Sequence, residues 1–166
     1  MEDLNLKLDE LLKSYHAYYN VNTENPSAPF DASAEFFLHD EQYFLLKSAK
    51  ISEADSREYV YFAVRETLDL DTCKHLDEAA WETGLSRVEP KPNHRNSDII
   101  LVILTNEIRE DAASYLKKLR RYKSYRMGLY GWSAYRVIAC EPFSGKMVHN
   151  RQGQTLEKVL GNIIPS

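Results

Sequence analysis

The chain has 166 residues, 43% hydrophobic and 28% charged, with a formal net charge of -4 and a pI near 5.8. That length suits one compact domain, residues 1–166, whose core needs neither disulfides nor metal, and the composition excludes a disordered or fibrous class. An acidic chain is not drawn to nucleic acid as a whole, so any such binding has to come from a local patch.

Leu4, Leu8, Leu11, Leu12, Tyr15, Tyr18 and Tyr19 recur at helical spacing and predict an amphipathic helix over residues 3–20, ended by the polar, two-proline stretch 20–29. Three β-rich runs follow, at residues 30–38, 43–51 and 58–66. Short polar breaks at 39–42 and 52–57 separate them and favour an antiparallel meander. Asp71 or Thr72 can cap a second helix with Cys73, Leu76, Ala80 and Leu85 on its apolar stripe and Trp81 at the border, while Gly84 blurs its end. Residues 89–97, with two prolines and two asparagines, read as an exposed loop. The aliphatic run 98–105 reads as a strand buried on both faces.

Glu107, Glu110 and Asp111 at its start and Lys117, Lys118, Arg120 and Arg121 at its end orient a third helix along its macrodipole. Residues 124–141 then make a long strand or bent pair, with Gly128 and Gly131 supplying bulges or a break. Pro142-Phe143-Ser144-Gly145 is a turn, residues 146–149 a short strand, and Thr155 can cap a short terminal helix carrying Leu156, Val159 and Leu160. The expected fold is α+β: a mainly antiparallel sheet with packed helices, in the order α-βββ-α-β-α-ββ-α, with one β-α-β crossover over residues 98–141.

Several segments together carry a family resemblance: Glu41-Gln42-Tyr43-Phe44-Leu45, Ser97-Asp98-Ile99-Ile100, Tyr122-Lys123-Ser124-Tyr125, Gly128-Leu129-Tyr130-Gly131-Trp132 and Asn150-Arg151-Gln152-Gly153. In these the chain resembles a family of small bacterial proteins, a domain of unknown function. The resemblance spans most of the chain and implies no activity, substrate or catalytic residue.

Residues 117–126 hold six cations and no acids, which leaves 15 Lys and Arg against 25 Asp and Glu in the rest of the chain. The cations Arg120, Arg121, Lys123 and Arg126 alternate with Tyr122 and Tyr125 and lead to Trp132. Cations on phosphates and rings stacked on unpaired bases are the combination single-strand binders use, although a helix end whose cations complement the dipole explains the same residues. His94, and His149 with Arg151, sit on segments abutting strand ends, where sites often form. His39-Asp40-Glu41 offers an oxygen-rich turn, which reads as solvated rather than as a metal site.

No complete catalytic constellation appears. The order α-βββ-α-β matches restriction-endonuclease-like nucleases, but residues 58–66 contain no lysine, and neither Lys47 nor Lys50 follows an acid at the required spacing. Gly131-Trp132-Ser133-Ala134-Tyr135 lacks the second glycine of a nucleophile elbow, and there is no P-loop or dinucleotide fingerprint. Cys73 and Cys140 lack ligand spacing and read as reduced thiols, so no metal and no cofactor is expected.

The longest aliphatic run, six residues, falls far short of the ~20 a spanning helix needs, and the start Met1-Glu2-Asp3 lacks a signal's cationic, apolar pattern. The expectation is a cytoplasmic interaction or ligand-binding module without a catalytic site. Its partner would be a protein or a second copy, with single-stranded nucleic acid or another anion as the alternative, a divergent enzyme as a further one, and no membrane.

Overall fold

The fold, given by a computed structural model, is described over residues 1–38 and 55–165. Among these residues seven strands form one mixed sheet in the order β1-β2-β3-β4-β6-β5, with β7 also on β6. They are β1 (Asn20–Asn22), β2 (Ala32–Leu38), β3 (Asp55–Leu68), β4 (His94–Ile108), β5 (Tyr122–Ser124), β6 (Trp132–Glu141) and β7 (Lys146–His149). Four of the six pairings are antiparallel, while the central β3–β4 and β4–β6 pairs are parallel. The α+β class and its mainly antiparallel pairing are thus as the sequence predicts.

The sheet is covered on both faces, and period-two alternation in the central strands sorts the two cores. Tyr59, Tyr61, Ile99, Leu101, Ile103, Tyr135 and Val137 point to one face, under α2 (Leu70–Ser86) and α3 (Glu110–Lys118). Val60, Phe62, Val64, Ile100, Val102, Leu104 and Ile138 point to the other, under α1 (Glu2–Tyr15) and a terminal segment in which a 3₁₀ turn (Gln152–Leu156) leads into α4 (Glu157–Leu160). Leu4, Leu8, Leu11, Leu12 and Tyr15 are buried because i, i+4, i+7 spacing puts them on one stripe. The Met1 amine meets Glu66 while the Tyr15 ring meets Phe62, so α1 runs antiparallel to β3.

Several boundaries differ from expectation for identifiable reasons. Helix α1 stops at Tyr15 because residues 20–22 pair as an edge strand on β2, which places Tyr18 and Tyr19 beyond it. Asp69, rather than Asp71 or Thr72, caps α2 by accepting from the Thr72 amide at 2.7 Å. Gly84 does not end that helix; it lies buried in the last turn, where a Cβ would come within 2.6 Å of the Ile99 side chain. Strand β4 begins at His94, inside the expected loop, because its first residues pair with β3 and β6.

Residues 124–141 are a bent pair rather than one strand: β5 and β6 are joined by a tight loop at 125–131. Thr155 does not cap; the terminal helical segment opens as a 3₁₀ turn without a side-chain cap. A second crossover, β3-α2-β4, joins the expected β4-α3-β6. Both crossover helices lie on the same face, as crossovers of one hand advancing in one direction require. The predicted strand at 43–51 and turn at 39–42 lie outside the described residues.

Cys73 on α2 and Cys140 on β6 are buried on opposite faces of the sheet, so they cannot bridge or share an ion. Burial pushes each thiol up to about 12. A thiol reagent at neutral pH should therefore leave both untouched in the folded protein and modify both once denaturant is added. Rapid labelling of the native chain would contradict this placement.

Candidate functional site

The amino-terminal ends of β3, β4 and β6 carry charged side chains on the α1 face, where the sequence alternation would otherwise put apolar ones. In-register pairing sets Glu58 beside Asp98 and Ile100 beside Arg136. The Arg136 guanidinium donates through Nη2 to Asp98 Oδ2 at 2.7 Å. Ser56 donates to Asn96 Oδ1 at 2.9 Å, and Asn96 reaches Asp98 Oδ1 at 3.4 Å, so a polar chain crosses the three parallel strands. Burial raises the Asp98 carboxyl above its ordinary range, against the pull of Arg136.

Above these groups opens a cleft of about 350 Å³. One wall is Ser14, Tyr15, Tyr18 and Tyr19, the other Thr155, Leu156, Val159 and Asn162, with Glu58, Ile100 and Arg136 at the floor. The Tyr19 hydroxyl donates to Glu58 Oε2, and Tyr15 and Tyr19 stack edge to face with centroids 4.8 Å apart. Burial first, and the Glu58 charge second, hold both phenols above their ordinary value, so they remain protonated donors. The cleft therefore presents a cation and a carboxylate between a tyrosine wall and a mixed aliphatic and polar one.

The basic and aromatic stretch is divided by the fold. Arg121 is committed to the opposite face, where its Nε and Nη2 donate to Asp77 at 3.0 and 2.8 Å and Tyr115 donates to the same carboxylate at 2.6 Å. Asp77 is fully buried, and Arg121 is its counter-ion. Arg120, Tyr122, Lys123 and Arg126 are exposed. The Lys123 ammonium lies 5.6 Å from the Tyr125 ring centre and the Arg126 guanidinium 4.9 Å from that of Tyr130. Trp132 is half-buried at the start of β6, paired with Ser124 and Asn96.

His94 is buried beneath the loop at 125–131. One ring nitrogen bonds the Tyr130 carbonyl at 2.7 Å and the other the Ser97 hydroxyl at 2.8 Å, and the ring packs edge-on against Tyr125. The Tyr125 hydroxyl meets Ser133 Oγ at 2.9 Å. Gly131, at φ +81°, allows this contact, since a Cβ there would lie 2.2 Å from the Arg95 carbonyl oxygen. His94 and Tyr125 thus anchor the loop from below.

His149 and Arg151 do not join them. His149 pairs with Ile138, five residues along β6 from the Lys123–Ser133 pair, a separation of roughly 17 Å at ~3.3 Å per residue. Its ring bonds the Asn150 carbonyl and Glu157, while Arg151 is exposed. Neighbouring Asn150 is fully buried: its Oδ1 accepts from the Val137 and Gly153 amides and its Nδ2 donates to the Tyr135 carbonyl. The Asn150-Arg151-Gln152-Gly153 segment therefore fastens the terminal helical turns to β6.

The cleft residues Tyr15, Tyr19, Glu58 and Arg136, and Asp98 paired with Arg136, escape sequence reasoning because they come from four separate segments. The available signal is a charge two residues before a buried apolar side chain on the same strand face, as at Glu58 before Val60, Asp98 before Ile100 and Arg136 before Ile138. His39-Asp40-Glu41, Glu41-Gln42-Tyr43-Phe44-Leu45, Lys47 and Lys50 lie outside the described residues. The nuclease-like order is present as α1-β1-β2-β3-α2-β4 among the described elements, yet β3 carries no lysine, and order alone assigns no chemistry.

No curated protein and no solved structure matches the chain. Residues 3–162, nearly the whole chain, match the profile of a family described as Domain of unknown function (DUF8052), and the chain belongs to that family.

Proposed function

We propose that the chain is a ligand-binding module whose site is the cleft over Glu58 and Arg136, and that Arg136 receives an anionic group of a small molecule. The observation that carries this reading is the state of Arg136. Its side chain is 28% exposed at the cleft floor, and among the described residues it donates only through Nη2, to Asp98. A guanidinium has five N–H groups in a planar fork suited to carboxylate or phosphate. The volume lies at the small end of the ~300–1,000 Å³ typical of small-molecule sites, and the tyrosine wall supplies apolar contact with polar edges. Binding without catalysis fits the absence of a complete catalytic set in the sequence, and unpaired thiols fit a reducing compartment such as the cytoplasm.

A panel of small carboxylates and phosphate esters, screened by thermal shift and followed by calorimetry, tests the proposal. At least one should stabilise the protein, with affinity reduced on the order of tenfold or more in Arg136→Gln, the loss of a charge-assisted hydrogen bond. Equal binding by parent and Arg136→Gln, or no stabilisation by any member, would reject the cleft as an anion site.

A further inference from the structure

The loop joining β5 to β6 has a backbone shaped to present apolar side chains. Arg126, Met127 and Gly128 are successive left-handed residues at φ 47°, 54° and 89°. The loop nevertheless satisfies much of its own backbone: the amides of Gly128, Leu129, Tyr130 and Gly131 donate to the carbonyls of Tyr125, Arg126, Tyr125 and Gly128. Tyr125 N–H closes the ring on the Gly131 carbonyl at 2.9 Å, and His94 holds the Tyr130 carbonyl from below. At the end of this rigid projection Met127 is 98% and Leu129 77% exposed.

Charge surrounds those two side chains. Lys123 and Arg126 are held over tyrosine rings, Arg120 is exposed three residues before Lys123, and no Asp or Glu occurs between Asp111 and Glu141. Tyr122 adds a 63% exposed ring beside them on β5. We infer that this loop docks on an anionic lipid surface. Met127 and Leu129 enter the acyl boundary, Tyr122 and Tyr130 lie at headgroup depth where amphipathic rings are favoured, and Arg120, Lys123 and Arg126 meet the lipid phosphates.

Three features select this occupant. The outermost side chains are aliphatic, and neither stacks on a base nor bonds a phosphate, which disfavours single-stranded nucleic acid. Arg121, the central cation of a phosphate track, is already consumed by Asp77. Internally bonded amides let the tip leave water without stranding many donors, the condition an apolar medium imposes. The overall charge of -4 does not oppose the contact, because charges beyond about a Debye length, ~8 Å at physiological salt, are screened while those at the tip are not. Two apolar side chains and a few cations make a weak, reversible attachment that needs both components.

Cosedimentation of the full chain with phosphatidylcholine vesicles, with and without phosphatidylserine, tests this. Binding should require the anionic lipid and be released by added salt. Met127→Asp with Leu129→Asp should weaken it by roughly tenfold or more, as should Lys123→Glu with Arg126→Glu. These side chains are exposed or on the surface, so melting temperatures should be unchanged, and Leu6→Asp, at an exposed position on α1, should bind as the parent does. Absence of vesicle binding, or binding indifferent to the Met127 and Leu129 changes, would overturn the inference. So would tight binding of a single-stranded oligonucleotide that the Glu variant loses and the Asp variant keeps, which would assign the surface to nucleic acid.

Discussion

Replacing Arg121 with methionine should cost about 3–5 kcal/mol of stability, the usual consequence of stranding one member of a buried ion pair. The same replacement at Arg120, one residue earlier, should change stability by less than ~0.5 kcal/mol. The difference lies in Asp77, which is fully buried on α2 and takes both guanidinium bonds from Arg121. Tyr115 alone would remain to solvate that carboxylate, by one hydrogen bond of 2.6 Å. The buried Tyr135 hydroxyl feels the Asp77 charge but makes no hydrogen bond. Asp77→Leu combined with Arg121→Met removes both charges and should recover much of the loss, because desolvating an ion pair offsets most of its Coulomb gain. Urea denaturation of the four proteins decides the matter: equal losses at positions 120 and 121, or no recovery in the double variant, would show that the pair is not the anchor described.

That contrast separates what is encoded locally in the sequence from what only the fold brings together. Helical spacing of Leu4, Leu8, Leu11 and Tyr15 and the unbroken run 98–105 reveal buried faces, because periodicity and apolar character are local properties. The turn at 142–145 and strand β7 are legible for the same reason. Arg121 looks identical to its neighbours in sequence, and only a carboxylate 44 residues away separates it from them. His94 reads as a loop histidine in the sequence and is a strand residue whose ring holds the loop at 125–131. The cleft was the least legible feature. Parallel register brings Glu58, Asp98 and Arg136 together, and no spacing within any one segment encodes that meeting.

Register also makes two adjacent core positions respond differently to the same substitution. Val102→Asp should leave little folded protein, since Val102 is 1% exposed on β4, with Phe62 and Ile138 directly across from it and Ile100 and Leu104 flanking it on the same face. An unpaired carboxylate there, added to the lost apolar contact, costs upwards of ~4 kcal/mol against a total stability of ~5–15 kcal/mol. Ile100 is as buried, at 2%, and belongs to the same face, but its partner on β6 is Arg136 and it lines the cleft. A carboxylate at position 100 can therefore meet a guanidinium and retain access to water. Ile100→Asp should be milder than Val102→Asp by about 2 kcal/mol, the worth of a hydrogen bond to a charged group, and adding Arg136→Gln to it should erase that advantage. Circular dichroism melts of the three variants would measure the ordering. If Ile100→Asp proves as damaging as Val102→Asp, Arg136 does not face position 100, and the register that builds the cleft is wrong.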